Sequence, residues 1–146
     1  MRTICYLLIF LFLTLFACKN AINDTFVAAQ QITDTASYTT ISFKDTVINF
    51  GTINMGEKTS ILFEFTNTGN HLLFLTEVKP GCGCTVADYT KNAVPPGGKG
   101  KVTALFDSNK SHPGSVTKNI LVTSNSSNGI THTLTFNGEI QQLKTQ

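Results

Sequence analysis

From residue 41 onward, apolar and polar residues alternate with a period of two in short runs divided by turn formers. Ile61, Phe63 and Phe65 alternate with Leu62, Glu64 and Thr66; Val102, Ala104 and Phe106 form a second such series. Ile120 and Val122 share one face of a third run, and Ile130, His132, Leu134 and Phe136 alternate in a fourth. "ISF", "VINF", "HLLFLTEVK" and "CTVADY" add shorter or more continuous apolar stretches. Alternation of this kind, rich in Val, Ile, Thr and Phe, predicts strands whose two faces meet different surroundings. Between the runs stand "NMGE", "NTGN", "KPGCG", "VPPGGKG", "SNKSHPG" and "SNSSNG", all with turn chemistry. No run carries the 3.6-residue period of a long amphipathic helix. The expected fold is all-β: an immunoglobulin-like β-sandwich of about seven antiparallel strands over residues 41–140. With no Trp in the chain, Phe50, Phe63, Phe65, Phe74, Phe106 and Phe136 are the expected core. Each contributes roughly 1.5–3 kcal/mol when fully buried.

The first 40 residues have a different texture. After Arg2 comes "ICYLLIFLFLTLFA", residues 4–17, without a charge. That length suits a signal-peptide core of ~7–15 residues and falls short of the ~20 needed for a membrane-spanning helix. "LFAC", Leu15 to Cys18, resembles a bacterial lipobox, although Phe16 is bulky for it. Residues 1–17 therefore read as a lipoprotein signal peptide, and Cys18 as the lipidated residue. Two or three acyl chains there would hold the protein to a membrane, since one chain binds only marginally. Residues 18–40 read as that lipidated cysteine followed by a polar tether, able to reach ~70 Å at ~3.3 Å per residue. Residues 141–146 are a short C-terminal tail. "DTA" (34–36) and "DTV" (45–47) resemble bacterial O-glycosylation triplets. The expected location is the bacterial cell envelope, with the protein anchored through lipid.

A formal charge of +2, unclustered, gives no electrostatic footprint for nucleic acid. G-x-S-x-G, H-E-x-x-H and the phosphate-loop spacing are all missing. "PPGGKG", Pro95 to Gly100, reads as a hairpin turn, and Asp88, Asp107 and Glu139 fall in different segments. The residues thus point to a non-enzymatic module with no cofactor.

Of the four cysteines, Cys5 leaves with the leader and Cys18 takes lipid, so Cys82 and Cys84 form the possible thiol or metal pair. In an extended strand, residues two apart lie about 6.6 Å apart, from ~3.3 Å rise per residue. That is the upper limit of the disulfide range. A bond needs the backbone to fold back, which Gly81 and Gly83 tolerate. So small a ring removes little entropy from the unfolded chain. A reactive thiol wants a cation, an imidazole or a helix N-terminus beside it, and Lys79 is the local cation. Closed zinc sites take four ligands, whereas Cu(I) accepts two thiolates. His71, His112 and His132 stand in separate segments with no spacing that forces convergence; His132 reads as a half-buried strand residue. The reading preferred is packing, with the sulfurs or an incidental disulfide beside Val86 and the phenylalanines. Thiol redox and Cu(I) handling remain as alternatives.

"FGTINMGE", "FEFTNTGN", "KPGCGCT", "VPPGGKGKV", "FDS" and "ILVTSN" occur in this order between residues 50 and 125. The order resembles the DUF1573 proteins, secreted or lipid-anchored bacterial domains related to ASH and major-sperm-protein sandwiches. The resemblance covers about residues 41–140 and implies an immunoglobulin-like sandwich, without implying a ligand or a catalytic activity. Taken together, these readings lead to a lipid-tethered module that binds an envelope protein or glycan through sheet edges or through the loops at 67–71, 88–98 and 107–114.

Overall fold

The computed structural model describes residues 37–142. Eight strands build the domain: β1 (Ile41–Phe43), β2 (Val47–Asn54), β3 (Lys58–Asn67), β4 (Leu75–Pro80), β5 (Thr85–Tyr89), β6 (Lys99–Asp107), β7 (Gly114–Ser124) and β8 (Thr131–Gln141). They form two four-stranded sheets, β1-β3-β6-β5 and β2-β8-β7-β4. Period-2 patterning explains the layering. Along β3, Ile61, Phe63, Phe65 and Asn67 are buried while Ser60, Leu62 and Glu64 are exposed. β6 and β7 repeat that alternation, so each sheet has one apolar face and the two faces meet.

Phe63, Phe65, Phe106 and Phe136 are fully buried, as the alternation predicts. Phe106 from one sheet meets Phe136 from the other edge-on, with centroids 5.6 Å apart. Half-buried Phe50 closes the cluster, 5.7 Å from Phe106 and 6.2 Å from Phe136. Phe74 departs from expectation. It is half-buried outside the core, and its neighbours Leu73 and Leu75 point inward instead. A near-continuous apolar run such as "HLLFL" carries no parity of its own, so the register of the chain around it decides which side faces in.

Among the eight strands, one pair departs from the expected all-antiparallel arrangement. β2 runs parallel to β8, with Ile48 opposite Phe136 and a bulge between Asn49 and Thr52. β2 follows β1 after three residues, without a hairpin reversal, and joins the last strand of the domain in the second sheet. Side-chain alternation is the same in parallel and antiparallel strands, so the sequence pattern cannot distinguish them.

The folded domain also takes in Thr39, assigned above to the end of the tether. It is 2% exposed, and its N–H donates to the Asn125 carbonyl at 3.1 Å. Two buried asparagines organise that end of the sandwich. Asn67 accepts from the Thr39 hydroxyl (2.7 Å) and the Gly69 N–H (3.1 Å), and donates to the carbonyls of His71 (2.7 Å) and Val94 (2.8 Å). Asn125 accepts from the Phe74 N–H at 2.8 Å and donates to the carbonyls of Leu72 and Ser37. Each amide thus joins segments that no ladder reaches.

Residues 1–36, which hold the expected signal peptide, Cys18, most of the expected tether and the Asp34–Ala36 triplet, lie outside the described residues, as do residues 143–146. No helix among the described residues is long and apolar enough to cross a membrane.

Candidate functional site

β4 ends one sheet and β5 ends the other, so the chain must cross between layers over Gly81–Cys84. Both cysteines lie on this corner. They are not in an extended strand: the turn brings their Cα atoms to 5.3 Å and a disulfide joins Cys82 to Cys84. Neither Gly81 nor Gly83 has positive φ, and a Cβ on Gly83 would meet nothing within 4 Å. The fold-back therefore does not draw on the left-handed freedom of glycine.

Backbone hydrogen bonds pin the corner at three points. Gly81 N–H donates to the Asn119 carbonyl on β7 at 2.9 Å, Asp107 N–H on β6 donates to the Cys84 carbonyl at 2.9 Å, and Thr85 N–H donates to the Cys82 carbonyl at 3.4 Å. Cys84 is 6% exposed, whereas Cys82 is half-buried against the core. Val86, the expected packing neighbour, is 67% exposed. β5 turns Thr85, Ala87 and Tyr89 inward and Val86 and Asp88 outward. The residue that does reach the sulfurs is Thr85, itself 6% exposed. Its hydroxyl lies 3.5 Å from the Cys82 sulfur and 3.9 Å from that of Cys84. Sequence reading missed Thr85; its signal was the same alternation, read one residue earlier than "VADY".

The other candidate groups do not converge. His71 and His112 are exposed. His132 is half-buried, as expected, with Nε2 3.0 Å from the Ser126 hydroxyl and its ring 5.6 Å from that of Phe43. Among the described residues no three His, Cys, Asp or Glu side chains gather as a metal site. Asp88 and Asp107 stand on the first sheet and face Lys91 and Lys58, while Glu139 stands on the second. Pro95–Gly98 lies in the β5–β6 connection, with Gly97 at φ +74° and Gly98 N–H on the Pro95 carbonyl, while Lys99 and Gly100 already belong to β6. That geometry is a turn.

The sheet edges differ in how they are closed. On β1, the Asn128 side chain accepts from the Ile41 N–H and donates to the Ile41 carbonyl, standing in for a neighbouring strand. β2 is bent by its bulge, with Gly51 at φ +78°, and the Glu57 carboxylate takes the Asn54 N–H at 2.9 Å. These bonds from Asn54, side-chain amide first and backbone N–H second, hold the Glu57 carboxyl below the usual carboxylate range. β4 ends in Pro80, which has no N–H to offer. β5 stays open. Thr90 donates to the Lys101 carbonyl and Cys84 accepts from Asp107, so even-numbered residues face β6. The N–H and C=O groups of Ala87 and Tyr89 consequently point away from the sheet, with no hydrogen-bond partner among the described residues. Beside them on the outward face, exposed Val86 lies opposite Leu105, which is 44% exposed.

Two further surface hollows flank this frame. One, of about 430 Å³, is polar and is lined by Asn49, Thr52, Ser115, Thr117, Asn137 and Glu139 with two glycines. The other, of about 410 Å³, adjoins the disulfide corner and includes Lys79, Pro80, Gly81 and Leu121.

Comparison with the curated proteins finds no match. Among solved structures, a protein of unknown function from Porphyromonas gingivalis W83 is similar, with a TM-score of 0.64 at 19% identity; the match covers 73% of this chain and 49% of that one. The chain thus spans about half the length of that protein. The ASH/PapD-like domain 7 of human CEP192 matches with a TM-score of 0.53 at 17% identity, over 75% of this chain and 89% of the domain. The VesB protease of Vibrio cholerae matches with a TM-score of 0.53 at 20% identity, over 69% of this chain and 31% of the protease. At these identities the likeness is one of fold, a PapD-like and immunoglobulin-like sandwich. The sequence itself goes further: over residues 41–140 it matches DUF1573, and the chain belongs to that family of proteins of unknown function.

Proposed function

We propose that this protein is a non-enzymatic recognition module of the bacterial envelope, tethered through lipid on Cys18, that binds a protein partner by adding a strand to β5. The open backbone groups of Ala87 and Tyr89 carry this reading. An extended segment laid along β5 would pair with them, and Val86 and Leu105 would pack against its alternate side chains. Asn128, Pro80 and the β2 bulge obstruct the same mode at the other edges. A glycan partner is the second reading, favoured by the polar hollow of hydroxyl and amide groups around Asn137.

Ala87→Pro gives a direct test, because the Ala87 N–H is not used by β6 and proline is tolerated at such edge positions. A photo-crosslinker at Val86 in intact envelopes is expected to capture a reproducible partner, lost with Ala87→Pro while the melting profile stays. Capture that survives the proline, or no capture at all, refutes strand addition at β5. Capture from the Asn137 side by a polysaccharide instead supports the glycan reading.

A further inference from the structure

The disulfide corner has three properties that a structural staple does not require. Its ring encloses a single residue, so it restricts the unfolded chain far less than a bridge across a long loop. The corner is already fixed by backbone bonds to Asn119 and Asp107, which do not depend on the sulfur–sulfur bond. A buried hydroxyl, that of Thr85, stands over both sulfurs, and those sulfurs are the partners it has in the structure. The two sulfurs are also unequal, since Cys82 is half-buried and Cys84 almost wholly covered.

We propose that Cys82–Cys84 is a thiol–disulfide exchange centre, reduced by a dithiol partner that attacks Cys82 and expels Cys84. The partner's thiolate forms a bond to the Cys82 sulfur as the Cys82–Cys84 bond breaks, and the electron pair leaves on Cys84. The Thr85 hydroxyl, 3.5 Å from the Cys82 sulfur and 3.9 Å from the Cys84 sulfur in the disulfide, turns to donate a hydrogen bond to that thiolate, which then takes a proton from water. The partner's second thiol gives up its proton and attacks the mixed disulfide, releasing Cys82 as a thiolate that is protonated in turn. Two electrons and two protons pass to the domain, and the partner leaves as a disulfide. Thr85 is a positioning and stabilising group for the leaving sulfur, the task that a cation or helix N-terminus serves in other reactive thiols. Because Gly81, Cys84 and Thr85 keep their backbone partners, the reduced pair stays on the same corner and can be reoxidised. The hollow lined by Lys79, Gly81 and Leu121 ends at the residue that precedes Cys82 and gives the attacking chain a surface beside the corner.

The test uses the full chain with dithiothreitol as the dithiol, followed by alkylation and peptide mass mapping of each cysteine. Reduction is expected with the circular dichroism of the folded protein unchanged, and it should reverse with oxidised glutathione. In Cys84→Ser, Cys82 should form a mixed disulfide with oxidised glutathione about tenfold faster than Cys84 does in Cys82→Ser, because access sets the rate. Thr85→Val should slow reduction about tenfold or more, the worth of a hydrogen bond to a charged group, and Thr85→Ser should restore it. Reduction that proceeds only as the chain unfolds overturns the proposal, as do equal rates for Cys82 in Cys84→Ser and Cys84 in Cys82→Ser. If Thr85→Val does not fold, Thr85→Ser and the cysteine variants still decide between exchange and a staple.

Discussion

Asn67→Asp changes one NH2 group to an oxygen at constant volume, and so isolates the polar chemistry of a buried side chain. Asn67 is wholly buried, and its amide orientation is unambiguous: a backbone N–H and a hydroxyl meet its oxygen, two carbonyls its nitrogen. In the variant the carbonyls of His71 and Val94 lose their donor, and a carboxylate oxygen takes its place at about the same separations, 2.7 and 2.8 Å. Leaving a buried acceptor unsatisfied costs roughly 1–3 kcal/mol. The Val94 carbonyl keeps the Leu73 N–H, so its loss falls at the low end; opposition between oxygens adds to the total. The sum is about 4 kcal/mol at neutral pH, a large part of the ~5–15 kcal/mol typical of a domain. Burial and the two carbonyls favour the protonated acid, so the folded-state pKa of the introduced carboxyl should rise above the unfolded value of about 3.9. The folded state then binds more protons than the unfolded one, and the deficit should shrink as pH falls from neutral toward the unfolded pKa. Urea denaturation followed by far-ultraviolet circular dichroism, at neutral pH and near pH ~4, the unfolded value, measures both effects. A neutral-pH loss within about 0.5 kcal/mol, the range of surface changes, would refute the reasoning, and so would a deficit that grows on acidification.

Phe106→Ala should cost about 3–5 kcal/mol because it empties the centre of the ring cluster; Phe74→Ala, outside the core, should cost about 1 kcal/mol, both read by denaturant midpoints. Gly100→Ala places a methyl group against the buried Phe65 ring and should lose about 1–3 kcal/mol through overpacking. Gly83→Ala meets open space and should stay within about 0.5 kcal/mol of the parent. At Glu57 the folded pKa lies below the ordinary value of 4.5, so its contribution is present above that value and is lost as pH falls through the folded pKa. Thermal melts of the parent and Glu57→Gln should therefore differ slightly at neutral pH and converge in acid; divergence in acid would contradict the assigned sign.

Alternation along the chain was enough to place β3, β6 and β7 and to name four of the buried phenylalanines, because burial on one face of a pleated strand imposes a period of two on the residues themselves. The same pattern does not say which strands are neighbours or in which direction they run. The parallel β2–β8 pair, the inward turn of Leu73 and Leu75 in place of Phe74, and the openness of β5 all depend on contacts between segments distant in sequence. The cysteines show the division most clearly. Their spacing made a bond conceivable. The crossing from one sheet to the other folded the backbone to 5.3 Å, and the phase of β5 put Thr85, not Val86, beside the sulfurs. Local periodicity follows from a residue's own side of the sheet, whereas the site follows from where separate strands are brought to meet.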